Sequence, residues 1–192
     1  MPKKRILVFS LSILFIILVM TWFYPYSFFS IKKSYLYNPD SVVVNQYVRD
    51  ITNFKEVVEQ DLSENTSENP IDLTVDKTRS VLPILEQDWL VSKKPVPMNK
   101  QDLSTMLFEV ENARDTLLNL VADQEYSSES REYLVATIGS LLRVEKSITD
   151  LINETAASRK ALRIKFNNLK GEIMKSFMLY ESFYEWSQEE IN

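Results

Sequence analysis

Arg114 and Glu145 are charged residues placed where apolar ones would be expected. At about 100° per residue, Arg114 falls in the middle of an apolar arc between Val110, Leu117 and Val121. Glu145 falls in a second arc, between Ile138, Leu141 and Ile148. A charge on a buried face is costly unless paired, so an ion pair across a helical hairpin is the economical reading. Register argues against its simplest form. A turn centred near residue 126 sets Arg114 opposite Ile138 and Glu145 opposite Leu107, which leaves a skewed crossing, another partner such as Glu111, or an escape to solvent as the alternatives. The chemistry on offer is a packing or register device, or the polar wall of a ligand pocket.

A second cluster is basic. Arg159, Lys160, Arg163, Lys165, Lys170 and Lys175 stand against a single acid, Glu172, over residues 159–175. Arg159, Arg163 and Lys170 lie within about 40° of one another on a helical wheel. Such a patch suits an anionic partner: a lipid headgroup, an envelope polymer or an acidic protein surface. The competing reading lays long basic side chains along the edge of an apolar stripe with their charges in water. A third cluster is aromatic. Phe177, Tyr180 and Tyr184 continue a core stripe, whereas Phe183 and Trp186 fall to its side and are candidates for contact with a partner.

Other chemistries lack their residues. The chain has no Cys and no His, which removes disulfides, thiol nucleophiles, lipoprotein attachment, the usual zinc ligands and any Ser-His-Asp set. Its two glycines, Gly139 and Gly171, are too few for a phosphate-cradling loop. Enzymatic activity, cofactor and metal are therefore not expected. Two N-x-[ST] tripeptides, at Asn65 and Asn153, are short enough to arise by chance.

The elements that must carry these residues begin with an apolar run. Residues 6–24 contain no charge, and as a helix they span roughly 28 Å, close to the ~30 Å hydrocarbon core of a bilayer. The run is longer than the usual apolar region of a signal peptide and is followed by an aromatic cluster (Trp22, Phe23, Tyr24 and Tyr26) rather than by a small-residue cleavage site. An uncleaved anchor is expected. Lys3, Lys4 and Arg5 before it favour an amino terminus in the cytoplasm. All 27 acidic residues come after Lys33, so the remainder is an acidic body poorly suited to nucleic acid or to the anionic cytoplasmic surface.

That body reads as all-α. None of the 7 prolines lies beyond Pro97. Apolar stripes at helical spacing start after Asp40 (Val44, Tyr47, Ile51, Phe54, Val58) and after Asn99 (Leu103, Met106, Val110, Leu117). A third stripe follows Ser127 or Ser128 as cap. It runs on past residue 153 either as one long helix or with a bend near residues 155–158. Between lies the least regular part. Residues 63–70 read as a polar loop, Ile71, Leu73 and Val75 as a short extended segment, and Val81 to Leu90 as a short helix with Pro83 in its first turn. Ser92 to Pro97 reads as a stiff connector.

The expected architecture is thus a cytoplasmic stub and transmembrane anchor (1–30), a juxtamembrane linker (31–39) and a body of about four antiparallel helices (40–192) with an irregular stretch at 63–98. The function this suggests is a single-pass, non-enzymatic scaffold, adaptor or assembly factor outside the cytoplasm, with a bacterial cell membrane as the expected setting. Its partners would be the bilayer, through residues 6–24, and another membrane or envelope protein, and self-association is compatible with the same surfaces. The alternative is a ligand-sensing bundle with a pocket near Arg114 and Glu145, signalling through a partner.

Overall fold

The computed structural model describes residues 2–64 and 73–189. Among them are seven helices and two four-residue strands: α1 (Pro2–Phe23), β1 (Ser34–Tyr37), α2 (Ser41–Glu64), α3 (Leu73–Leu85), α4 (Asp88–Val91), β2 (Val96–Asn99), α5 (Lys100–Asp123), α6 (Ser128–Ile152) and α7 (Arg159–Glu189). The all-α class stands. Within it, α6 packs on both α5 and α7, while α3 lies against α2, α5 and α7.

Local chemistry explains where the long helices start. The Asp40 carboxylate accepts the Val42 N–H at 2.9 Å and opens α2. Asn99 accepts the N–H groups of Gln101 and Asp102, and Asp102 accepts the Asn99 N–H at 2.8 Å, a reciprocal capping box. Ser127 accepts the Ser130 N–H and opens α6. Each helix then buries the stripe its spacing predicts. Val44, Tyr47, Ile51, Phe54 and Val58 line the inner face of α2, and Leu103, Met106, Val110 and Leu117 that of α5.

Three expectations are corrected or decided. Leu73 and Val75 are helical, not extended. Thr74, Val75, Thr78, Val81, Ile84 and Leu85 are buried along α3, a helical spacing that the brief alternation of Leu73 and Val75 concealed. Pro83 accordingly sits near the carboxyl end of α3 rather than in the first turn of a later helix, and α4 is separate. The segments expected as linker and stiff connector pair as an antiparallel ribbon, with Tyr35 opposite Met98 and Tyr37 opposite Val96. Tyr35 and Tyr37 are buried while Leu36 between them is exposed, the period of two that a one-sided strand requires. Of the two readings beyond residue 128, the chain takes the break. The Glu154 carboxylate accepts the Ala156 N–H at 3.2 Å and binds Lys165 Nζ at 2.7 Å, holding the reversal between α6 and α7. The tripeptide at Asn65 and most of the polar loop lie outside the described residues.

Aromatic side chains fill the centre. Tyr35 stacks on Phe166 at 5.2 Å, and Trp89 meets both Phe166 and Tyr37 edge-on. Further along α7, Phe177, Tyr180 and Tyr184 surround Phe54. Two of the buried tyrosine hydroxyls here find partners across elements: Tyr47 donates to the Leu85 carbonyl at 2.8 Å, and Tyr184 to Asp61 at 2.5 Å.

Candidate functional site

Arg114 and Glu145 meet. One guanidinium nitrogen of Arg114 lies 3.2 Å from Glu145 Oε2 and another 3.0 Å from Asp115 Oδ1. Both side chains are long, and the α5–α6 link at residues 124–127 is extended rather than a tight turn, so the register objection does not hold. The pair is half satisfied. Arg114 Nε and Glu145 Oε1 are buried without a hydrogen-bond partner among the described residues. Burial raises the Glu145 pKa; Arg114 pulls it down, and Glu111 and Asp115 push it up again. The arrangement has a carboxylate and a guanidinium but no nucleophile, and its evident work is to lock α5 against α6.

The basic residues of α7 do not form one patch. Arg159 turns toward α1, donating from Nε to the Trp22 carbonyl and lying 5.6 Å from the centre of the Trp22 ring. Lys160 is exposed. Arg163 and Lys170 reach a separate cleft of about 350 Å³, where they face Tyr37, Asn38, Asp40 and Asn167. Lys170 is only 6% exposed, with most of its length buried in the wall of that cleft. Burial lowers its pKa, and Asp40 acts the other way.

The terminal aromatics separate as well. Phe183 is completely buried, packed on Tyr126 at 5.2 Å and on Tyr180 at 5.7 Å, which removes it from any contact surface. It sits beside the stripe of α7 but faces the link that joins α5 to α6, a neighbour a single-helix wheel does not include. Trp186 and Met178 remain exposed on the outside of α7.

The junction of α1 and the body was missed by sequence reasoning altogether. Tyr26, Ser27 and Ser30 are buried, and the Tyr26 hydroxyl donates to the Met98 carbonyl at 3.0 Å. The Ile31 N–H donates to Thr21 Oγ1 at 3.1 Å, so the chain doubles back beside the last turn of α1. The alternation of Tyr35 and Tyr37 was the available signal that this stretch joins the core. No family model, curated protein or solved structure matches this chain, so its own residues carry the functional argument.

Proposed function

We propose that this is a single-pass membrane protein whose antiparallel helical body acts, without catalysis, as a scaffold, adaptor or assembly factor for another component of the cell envelope. One observation carries the reading. Lys4–Phe23 is long and apolar enough to cross a membrane, and none of it is buried against the body. A water-soluble protein would leave such a helix uncovered at great cost, whereas a bilayer covers it. The lack of Cys and His supports a binding rather than a catalytic role. The basic residues before the helix favour the body lying outside the cytoplasm.

The junction also supports this role. Tyr26, Thr21 and Arg159 fasten the end of α1 to β2, to the returning loop and to α7, so the body is held against the anchor rather than on a slack tether. A scaffold gains from such a mounting, because it presents its outer faces at a set height. The sensing alternative has less support: the clefts near Trp89, Lys100 and Lys170 are not lined by Arg114 or Glu145.

A photo-crosslinking residue at Trp186, exposed on α7, tests the role in intact membranes. The expected product is a discrete adduct with one other envelope protein, absent when the same group replaces Lys146 on α6. Adducts indistinguishable between the two positions would contradict the adaptor reading. A carboxyl-terminal reporter enzyme active only outside the cytoplasm is expected to work, and activity of a cytoplasm-only reporter would reverse the orientation.

A further inference from the structure

Beside the end of α1 the structure builds a cleft that the anchor does not require. The returning loop leaves Phe28 84% exposed, with Phe29 and Ile31 also outside and Trp22 and Phe23 at the same end of the helix. Behind this apolar rim lies a cleft of about 540 Å³ lined by Ser27, Phe28, Lys32, Lys33, Lys100 and Thr155, among others. No carboxylate lines it. The Asp102 carboxylate nearby is engaged in the cap of α5.

The lining is built rather than incidental. Lys33 has φ 46°, the left-handed region, and it is the only residue other than glycine with a positive φ among those described. A side chain with a Cβ disfavours that conformation, and such residues gather at binding sites. Here it brings Lys33 Nζ to 5.9 Å from the Phe28 ring, while Lys100 Nζ lies 5.9 Å from the ring of Tyr26. Lys32, Lys33 and Lys100 form no ion pair among the described residues. Ser27 is only 3% exposed, and its Oγ is buried without a hydrogen-bond partner among the described residues. A buried hydroxyl in need of an acceptor and three unpaired ammonium groups call for the same thing, an anionic oxygen ligand.

We propose that this cleft binds the phosphate of an acidic phospholipid in the leaflet that faces the body. Lys32, Lys33, Lys100 and the Ser27 hydroxyl take the headgroup, and Phe28, Phe29 and Ile31 lie among the upper acyl carbons. The hydrogen bond from Ile31 to Thr21 sets the occupant, because it holds the rim level with the last turn of a bilayer-spanning helix. A soluble phosphate would have no use for the exposed aromatic rim. Basic side chains beside a membrane span draw anionic lipids, and here they offset locally the acidity of the body. The inference rests on the anchor reading and deepens it.

The test uses the full chain in nanodiscs of phosphatidylcholine mixed with phosphatidylglycerol, with native mass spectrometry of the lipid the chain retains. Phosphatidylglycerol is expected to be enriched about fivefold over its share, falling to parity in a Lys32→Ser, Lys33→Ser, Lys100→Ser variant. Replacing Lys146, Lys160 and Lys175 with Ser, elsewhere on α6 and α7, should leave the enrichment intact. Ser27→Ala keeps every charge and should weaken enrichment by itself, which preserves the test should the triple variant misfold. Parity in the natural chain, or enrichment indifferent to the three lysines and to Ser27, overturns the headgroup site. Displacement of the lipid by inorganic phosphate overturns it too, in favour of a soluble anion. A chain that fails to enter the bilayer at all overturns the anchor and this site together, a result distinct from insertion with parity.

Discussion

Replacing Arg114 with leucine leaves Glu145 in the α5–α6 seam without its strongest counter-charge, and replacing Glu145 strands Arg114 likewise. Each single substitution is expected to lower stability by about 1–3 kcal/mol, with the double variant costing clearly less than the sum. Additive losses in urea unfolding would deny that the two residues act as a pair. The same carboxyl sets a pH dependence. Its folded pKa is raised above the ordinary 4.5, so the folded chain holds a proton that the unfolded chain has already released. Stability should therefore rise as pH falls through that raised value and be fully gained below the ordinary one. Glu145→Gln should flatten this rise, and a slope unchanged in the variant would refute the assignment. The wheel made Arg114 and Glu145 visible in the sequence because both interrupt otherwise apolar stripes. It could not show that Lys170 is buried or that Phe183 faces the α5–α6 link, because those facts depend on neighbours in other elements.

Among the elements, the long helices after Asn99 were legible because stripe and cap agreed. Asn99 and Asp102 form the reciprocal cap their spacing announces, and Ser127 opens α6. Asn99→Ala is expected to cost about 1 kcal/mol, read as a fall in the urea midpoint at unchanged slope; no change would mean that tertiary packing alone fixes the start of α5. The middle of the chain was illegible for a physical reason. Leu73 and Val75 look like a strand over so short a window, and proline is best tolerated in the first turn of a helix, so Pro83 pointed to a helix start rather than to its place near the end of α3. The ribbon of β1 and β2 was missed because each strand has four residues and their pairing joins distant parts of the chain. The break between α6 and α7 has no Gly or Pro to mark it. Glu154 makes it, through Ala156 and Lys165.

For the whole molecule, four shifted carboxyl groups, Glu145, Asp150, Glu154 and Glu181, divide into two sets with opposite pH responses. Burial raises Glu145, and burial together with Glu185 and Asp50 raises Glu181. Lys146 lowers Asp150, and Lys165 lowers Glu154, in each case through a side-chain hydrogen bond. The first set adds stability as pH falls toward the ordinary carboxylate range. The second holds its contribution above that range and loses it as pH falls through the lowered values. The thermal midpoint of the full chain in detergent is thus expected to peak at mildly acidic pH and to decline on both sides; a midpoint rising steadily to neutrality would contradict this balance.

The larger claim is one of position: α1 lies within a bilayer and the body lies in water beside it. Because the natural chain contains no cysteine, a single introduced thiol reports its own surroundings without interference. The deciding measurement compares Ser12→Cys, midway along α1, with Lys146→Cys at an exposed position of α6, using a membrane-impermeant maleimide on intact cells. Lys146→Cys should react at once from outside, and Ser12→Cys should stay unlabelled until detergent dissolves the membrane. Equal labelling of the two before detergent would show that α1 does not cross a bilayer.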